Sequence, residues 1–385
     1  DRCDQIEREM RDPKAAERFA LKQSQSFVDQ MEGFALELED ELMNFSDVSY
    51  KSFVKSESEI ITLFYDKFAD IPLLSRMDAV AETFIDEIET LLNRDLPEEE
   101  RIPLIEKFRK MYETMDFYVL YNRFLKKEGY QTLPRRPLEK RKLRYEDVYP
   151  VLYLKYRLSR QAERSNIKHL VIDEMQDYSR LQYLIIRRMF SCKMTILGDR
   201  AQTMADQQQD VLQFLPGIFG KDLRRIEMRK SYRNTVEIAS YAANLIGVTD
   251  LELFERHGIP VVERDVTDLE AALREAVDTL FPEEKTYETA AVIVPDEKTA
   301  ERAYLILREI LVEKDFDCEK RLSWLNRDSS SFKKGLTVTT FYLAKGLEFD
   351  QVFSIFPKDE KREMMMQAQY IAATRALHEL RVYHI

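Results

Sequence analysis

The spacing of apolar residues changes once along the chain, near residue 145. Before that point apolar residues recur every three or four positions, which is the period of a helix that buries one face. The two clearest sets are Ile60, Leu63, Phe64 and Phe68, and then Val80, Phe84, Ile88 and Leu91. The prolines that interrupt the pattern are Pro72, Pro97 and Pro103. Because proline ends or kinks a helix, we expect at least four packed helices here rather than one long rod.

After residue 145 short apolar runs alternate with helical ones. IKHLVIDE and KMTILGD predict buried strands, and LQYLIIRRMF between them is apolar on one face at helical spacing. Strand and helix patterns alternate again after residue 285. The predicted strands are ETAAVIVP, LTVTTF and FDQVFSIFP, and the predicted helix is TAERAYLILREILVE. Strand, helix, strand is typical of a parallel βαβ unit. The pattern predicts an α/β fold with two lobes, separated by the region around residues 205 to 235.

Composition narrows the class of protein. The 385 residues, 44% of them hydrophobic, can bury cores for two or three domains. A net charge of -11 repels nucleic acid, so any contact with it needs a local basic groove. Three scattered cysteines fit a reducing compartment, and no apolar run is long enough to cross a bilayer. We expect a cytoplasmic, monomeric protein with no membrane partner.

The stretch VIDEMQD, residues 171–177, carries the first candidate chemistry. Asp173 and Glu174 directly follow a predicted strand, and α/β proteins place their sites at the carboxyl ends of strands. One carboxylate can hold Mg²⁺ through water, and the other can polarise an attacking water. By themselves the two residues fit a surface turn equally well. The next strand favours chemistry, because LGDRAQTM places Gln202 beside the same sheet edge, where its amide can contact a phosphate oxygen.

Two arginines extend this set. RKSYRNT places Arg233 at the start of a predicted helix, and AATRALHEL places Arg375 on another. Each arginine alone is more often a surface or capping residue. Together with the carboxylates, they match what a second lobe supplies to stabilise charge on a γ-phosphate.

The phosphate cradle of such a site, G-x-x-x-x-G-K-[ST], is missing from the sequence. The only Gly-Lys pair is Gly220-Lys221, and Asp222 follows it where a Ser or Thr should hold the metal. The first residue is Asp1 rather than Met. We therefore expect the chain to begin inside a longer protein.

Five motifs in a fixed order carry a resemblance to a known family. The order VIDEMQD, LGDRAQTM, KSYRNT, TTFYLAKGLEFD and QYIAATRA resembles the later motifs of superfamily 1 helicases of the UvrD/Rep type, over residues 145 to 385. YEDVYPVLYLKYRL and YLAKGLEFD are most similar to HelD, the helicase-like ATPases that bind bacterial RNA polymerase.

The resemblance implies an arrangement of domains. Residues 1–140 would be an all-helical insertion that serves as a partner-binding arm. Residues 141–215 would be the C-terminal portion of a first RecA-like domain, incomplete because its P-loop lies upstream, and residues 216–385 a second RecA-like domain. The chain would then be the C-terminal part of an ATP hydrolase of the P-loop NTPase class, and inactive by itself.

The resemblance also implies roles in a first half of an ATP site. Asp173 would hold the Mg²⁺ that accompanies ATP, and Glu174 would act as the catalytic base. Gln202 would couple the phosphate state to domain movement.

In the second half, Arg233 and Arg375 would contact the γ-phosphate. Within YLAKGLEFD, Glu348 would lie at the ribose of the nucleotide, and Gly346 would let the backbone approach it.

Two departures from the family weaken the case for translocation along DNA. The segment MADQQQD, residues 204–210, lacks the aromatic residues that stack on single-stranded bases. Stacking of that kind is worth roughly 1–3 kcal/mol per base. In addition, Tyr342 stands where the family usually has His.

The helical region bears on the choice of partner. It is acidic and its aromatic residues lie at core spacing, so we expect a protein-binding arm for bacterial RNA polymerase rather than a DNA groove. The alternatives are a UvrD-like helicase that moves along single-stranded DNA, and an inactive scaffold that keeps only the fold. The basic run RRPLEKRKLR, residues 135–144, could follow a nucleic-acid backbone or could be a solvated linker.

Overall fold

A computed structural model describes residues 2–160, 166–199, 211–228, 230–248, 252–314, 317–329, 334–358 and 363–385. The chain folds into two compact units. Unit 1 comprises Asp1–Leu197 and Val211–Asp222, and unit 2 comprises Gly198–Asp210 and Leu223–Ile385. The predicted division into three domains is a finer one, and it stays a prediction.

Unit 1 is mainly helical. Its helices are α1 (Arg2–Arg11), α2 (Pro13–Gln23), α3 (Gln25–Glu41), α4 (Glu57–Thr62), α5 (Arg76–Leu92), α6 (Glu98–Arg109), α7 (Phe117–Lys127), α8 (Tyr145–Leu158), α9 (Arg180–Met189) and α10 (Val211–Phe219). Its strands are the antiparallel pair β1 (Val48–Tyr50) and β2 (Phe53–Lys55), and the parallel pair β3 (His169–Ile172) and β4 (Lys193–Ile196). The predicted βαβ unit is therefore confirmed as β3, α9 and β4. Its strands were predicted to be buried, and that prediction is wrong, since only Ile172 is buried and, in the described part of the chain, the two strands pair only with each other.

Side-chain caps and a common core hold these helices. Ser56 and Glu59 form a capping box at the start of α4, which satisfies backbone N–H groups that a helix end leaves unpaired. Seven of the eight apolar positions that the spacing singled out are buried or packed against the core. Leu91 is the exception, since it is 71% exposed. The periodicity failed there because α5 ends at Leu92, and Asn93 turns the chain away with a φ of 49°.

The prolines behave in two ways. Pro97 directly precedes α6, as expected, and Pro72 precedes a short 3-10 turn, Leu73–Ser75. Pro103 was predicted to separate helices, and that prediction is wrong, because Pro103 lies inside α6. Proline removes one backbone hydrogen bond from a helix interior. The helix continues because Leu104 and Phe108, which follow Pro103 along it, are buried in the core.

Unit 2 is an α/β unit. Its helices are α11 (Val236–Leu245), α12 (Leu269–Asp278), α13 (Glu297–Glu313), α14 (Cys318–Arg321) and α15 (Glu363–Thr374). Its strands are β5 (Lys230–Ser231), β6 (Glu252–Leu253), β7 (Val262–Asp265), β8 (Thr289–Val294), β9 (Leu322–Trp324), β10 (Gly335–Thr340), β11 (Phe349–Phe356) and β12 (Ala376–His384). Strands β5 and β6 form a separate parallel pair.

A six-stranded sheet organises unit 2. Its strand order is β7-β12-β11-β8-β10-β9, and every neighbouring pair is parallel. Strands β8, β10 and β11 are buried along nearly their whole length, which explains the continuous apolar run Ala290–Val294 of β8. Strands β10 and β11 also bury polar residues, among them Thr337, Thr339 and Gln351. The predicted α/β fold is therefore confirmed. None of the helices in the described ranges combines the length and the hydropathy that a membrane span requires.

Candidate active site

The predicted carboxylates of unit 1 lie at the carboxyl end of β3. Strand β3 ends at Ile172, which is in register with Ile196, the last residue of β4. Leu197 N–H donates to the Ile172 carbonyl at 2.8 Å, and Met175 N–H donates to the Leu197 carbonyl at 2.8 Å. The turn that carries Asp173 and Glu174 is thus tied to the end of the neighbouring strand.

Glu174 has an unusual backbone and a fixed side chain. Its φ of 53° lies in the left-handed region, which is uncommon for a residue with a Cβ and often marks a functional turn. Its own N–H donates to Asp173 Oδ1 at 2.8 Å. Gln176 Nε2 donates to Glu174 Oε2 at 2.6 Å, and Gln176 is itself buried. The turn therefore stores backbone strain at the residue that is expected to act as the base.

Gln176 was not singled out from the sequence. The only available signal was its place in the stretch VIDEMQD, two residues after Glu174. The spacing of two residues does not by itself indicate a contact between an amide and a carboxylate. The contact depends on the 3-10 turn Met175–Asp177. The structure identifies Gln176 as the residue that orients the Glu174 carboxylate.

In unit 2 the structure brings four predicted residues together. Glu348 and Arg375 immediately precede β11 and β12, and Phe349 N–H donates to the Arg375 carbonyl at 2.9 Å. Arg233 Nε lies 2.7 Å from Glu348 Oε1. Gly346 is two residues from Glu348 in the same turn and has a φ of 78°. These four residues therefore surround one turn, at the amino ends of two adjacent parallel strands.

The Arg233–Glu348 ion pair is exposed. The two side chains keep 48% and 40% of their surface accessible to solvent. Exposed pairs of this kind contribute about 0–1 kcal/mol. Either partner can therefore leave the pair for a ligand at little cost.

Arg375 is buried, with 1% of its surface exposed. Its Nη1 donates to the Leu347 carbonyl at 3.5 Å, and its Nη2 donates to Thr374 Oγ1 at 3.3 Å. The sequence predicted that Arg375 lies on a helix, and that prediction is wrong. Helix α15 ends at Thr374 and β12 begins at Ala376, because residues 376–384 pair with strands on both sides. Arg233 lies just before α11, whose N-cap is Thr235.

Asn234 links the two arginines and was missed in the sequence. It is 8% exposed, and its Nδ2 donates to the Ala376 carbonyl at 2.6 Å and to the Thr374 carbonyl at 3.2 Å. These two carbonyls flank Arg375. From sequence alone, an Asn beside a helix N-cap is indistinguishable from an ordinary capping residue. The structure shows that Asn234 holds the Arg233 segment against the chain on either side of Arg375.

Tyr370 holds the segment that follows β4. The Tyr370 hydroxyl donates to Asp199 Oδ2 at 3.2 Å, and both residues belong to unit 2. Burial raises the pKa of Tyr370 above its usual range, and the negative charge of Asp199 adds to the effect. The phenol therefore stays protonated and donating at neutral pH. Gln202, three residues beyond Asp199, lies outside the described residues, as does the stretch 204–210.

The residues present fit a magnesium ion that arrives with a nucleotide. In the part of the chain that the structure describes, no group of three or more His, Cys, Asp or Glu side chains could hold a metal ion by itself. Mg²⁺ is usually bound through one or two protein carboxylates, with substrate phosphates and water completing the coordination. Asp173, which is exposed at the strand end, can supply such a carboxylate.

Comparisons with solved structures return helicases of low similarity. The C-terminal domain of a possible DNA helicase from the Lactobacillus strain WCFS1 is 23% identical, with a TM-score of 0.31, over 40% of this chain and 88% of that one. The helicase of PRRSV and the arterivirus nonstructural protein 10 helicase are each 14% identical over 69% of this chain, with TM-scores of 0.32 and 0.31. This chain covers only 45% and 50% of those two viral proteins.

Comparisons of sequence show the family. No curated protein matches the chain. The profile of the UvrD/REP helicase N-terminal domain matches residues 4–204, which cover both the helical region and the strand that carries Asp173 and Glu174. Because this match spans more than half of the chain, the protein belongs to the UvrD/REP helicase family, the UvrD-type helicases of superfamily 1.

Proposed function

We propose that the protein contributes the hydrolytic residues of an ATP-dependent helicase-like motor, and that this motor remodels or recycles bacterial RNA polymerase in the manner of the HelD subfamily. The observation that carries the first part is the grouping of Arg233, Glu348 and Arg375 around the turn at residues 345–348. Two arginines and a carboxylate at one turn are the residue types that surround a triphosphate and its ribose.

Hydrolysis would depend on the turn after β3. Glu174 would take a proton from the attacking water, because its carboxylate is oriented by Gln176 at 2.6 Å. Asp173 would hold Mg²⁺, which supplies charge stabilisation at the β- and γ-phosphate oxygens when it is bound. Gln202 would report the phosphate state.

The residues around the turn at 345–348 in unit 2 would respond to the nucleotide. Glu348 holds Arg233 in the exposed ion pair described above, and both side chains are available to a ligand. On nucleotide binding, Glu348 would turn to the ribose and Arg233 to the γ-phosphate. Arg375 would stay in place, because its burial and its contacts with residues 347 and 374 already fix its guanidinium group. In this arrangement Arg233 is the movable contact and Arg375 the preorganised one.

The 385-residue chain by itself should not turn over ATP. A P-loop supplies a lysine and a series of backbone N–H groups to the phosphates, and the arginines of unit 2 cannot replace them. A phosphate-release assay on the purified chain should stay at the level of the Glu174→Gln variant. Turnover that Glu174→Gln removes would contradict this prediction, since it would show that the chain has another phosphate cradle.

The proposal about the partner rests on the charge and the burial of the helical region. Residues 1–130 contain 30 acidic and 18 basic side chains. Carboxylates such as Asp40 and Glu41 are exposed, whereas the aromatic rings of Phe64, Phe84 and Phe108 are buried in the core. A surface of this kind repels DNA but complements the basic channel of a nucleic-acid enzyme. We therefore assign residues 1–140 as a protein-binding arm, with 141–215 and 216–385 as parts of the two motor domains, and ATP hydrolysis would drive release.

A binding experiment separates the two partners. The chain should bind core bacterial RNA polymerase and should not bind single-stranded DNA at physiological salt. The variant Asp40→Lys/Glu41→Lys should weaken polymerase binding by about 10-fold or more, because it reverses exposed charges on α3. The new lysines lie in the last turn of the helix, where positive charge is favourable, so the fold should be retained.

The matched control reverses two exposed carboxylates of unit 2, in the variant Glu301→Lys/Glu309→Lys on α13. It should bind the polymerase as well as the unaltered chain does. Tight binding to DNA with no binding to the polymerase would reject the arm and favour a UvrD-like helicase that moves along DNA. Equal weakening in the two variants would mean that net charge, and not the arm, determines binding.

A further inference from the structure

Unit 1 contains a cavity whose lining includes none of the candidate site residues. Its volume is about 410 Å³. Its lining residues come from α1 and α2, from α7 and α8, and from the segment between α7 and α8, which includes the basic run at residues 135–144. Sites for small ligands usually measure about 300–1,000 Å³, so this cavity can hold one.

The walls of the cavity are more basic than the region around it. Among its lining residues, the cationic ones are Arg8, Arg18, Lys22, Arg136, Lys142 and Arg144. The carboxylates among them are only Asp4, Glu146 and Asp147. This excess of positive charge lies in a helical region whose net charge is negative. The cavity is therefore a local positive site on an acidic domain.

Two of the three carboxylates are already neutralised inside the protein. Lys22 Nζ lies 2.6 Å from Asp147 Oδ1 and 3.5 Å from Glu146 Oε1. The Tyr121 hydroxyl donates to Asp147 Oδ1 at 2.9 Å, and Arg18 Nε lies 3.6 Å from Glu146 Oε1. Both carboxylates are buried. Arg144 Nη1 also lies 3.8 Å from Glu146 Oε1. These pairs use the charges of Lys22, Arg18 and Arg144 within the protein and leave the remaining three cations of the cavity for a ligand.

Three cations of the cavity lack a carboxylate partner among the described residues. Arg8, Arg136 and Lys142 form no ion pair within the ranges that the structure describes. Arg136 and Lys142 are exposed, whereas Arg8 is half-buried, and its Nη1 is buried without a hydrogen-bond partner among the described residues. A buried donor that lacks a partner costs free energy, and an anion can relieve that cost.

We propose that this cavity binds a phosphorylated small molecule, with the phosphate oxygens on Arg8, Arg136 and Lys142. A phosphate monoester carries about -1.5 to -2 charges at neutral pH and has three strong acceptor oxygens. It therefore matches these three cations, one on α1 and two in the segment between α7 and α8, better than a single carboxylate does. The guanidinium groups of Arg8 and Arg136 can each donate two parallel hydrogen bonds to such a group. This site is separate from the ATP site proposed above and does not depend on it.

Titration calorimetry with inorganic pyrophosphate tests the proposal on the 385-residue chain at physiological salt. Saturable binding of one molecule per chain is expected. The variant Arg136→Glu/Lys142→Glu should weaken it by about 30-fold or more, since two contacts become repulsive. Both positions are exposed, so the variant should keep the melting temperature of the unaltered chain.

The matched control lies in the same basic run. The variant Arg135→Glu/Lys140→Glu makes the same change in net charge at exposed positions that do not line the cavity. It should bind pyrophosphate within about threefold of the unaltered chain, because these two side chains do not line the cavity and exposed charges are partly screened by salt. The proposal is overturned if pyrophosphate does not bind saturably, or if the two double variants weaken binding equally. Binding of single-stranded DNA at these residues without binding of pyrophosphate would also overturn it.

Discussion

Replacing Glu174 with Gln should reduce ATP turnover by about 10²–10⁴-fold in a longer polypeptide that supplies a P-loop, which is the usual contribution of a general base. Nucleotide affinity should stay within about threefold, because the amide keeps the size of the side chain and only loses the ability to take a proton. The carboxylate is oriented by Gln176, and its backbone is in the left-handed region, so the group is preorganised for one task. The measurements are steady-state turnover and equilibrium binding of a slowly hydrolysed ATP analogue.

The matched control for this substitution is Glu309→Gln on α13. It makes the same chemical change at an exposed carboxylate in unit 2, and it should leave turnover unchanged. Near-normal turnover in Glu174→Gln would show that Glu174 is not the base. A large loss of nucleotide affinity in the same variant would point to a binding role instead.

Arg375→Ala should lower turnover by about 10³-fold or more, which is the effect of removing an arginine from the γ-phosphate. The loss should appear in kcat rather than in KM, because charge on the γ-phosphoryl group is largest in the transition state. Arg375 is also buried and touches the Leu347 carbonyl, so the variant has to be shown to be folded before its turnover is interpreted. Its melting temperature is therefore measured alongside the kinetics.

Arg375→Lys is the second variant in this experiment. Lysine keeps the positive charge but cannot reproduce the planar fork of the guanidinium group. We expect a folded protein whose turnover lies between that of the unaltered enzyme and that of Arg375→Ala. Full activity of a folded Arg375→Ala variant would remove Arg375 from the γ-phosphate site.

Sequence reasoning was reliable for the buried strands and their ends. Strands β8, β10 and β11 are buried along nearly their whole length, and in β8 this burial is visible in the sequence as the continuous apolar run Ala290–Val294. Strands β3 and β4 also form where predicted, and the carboxylates of VIDEMQD and LGD follow their ends, but of the residues in these two strands only Ile172 is buried. A motif that follows such a run is therefore easy to place at a strand end.

Sequence reasoning was unreliable where residues far apart in the chain determine the local structure. The residues that follow Arg375 were expected to continue a helix, yet they form β12 because β11 and β7 offer backbone partners on both sides. Pro103 lies inside α6 because burial of Leu104 and Phe108 outweighs one lost hydrogen bond. Asn234 was missed for the same reason, since its partners are the carbonyls of residues 374 and 376.

The sequence by itself determined the class of the fold, and it supplied the residue types of the proposed ATP site, because these depend on local composition and on the order of motifs. Only the tertiary structure decided where those residues meet. It put Glu348 and Arg375 at the amino ends of the neighbouring strands β11 and β12. It also paired Arg233 with Glu348, 115 residues apart in the chain, and put part of the basic run along a cavity. Contacts of this kind depend on how strands order within a sheet and on which helices pack together, and neither is encoded in the spacing of any single segment.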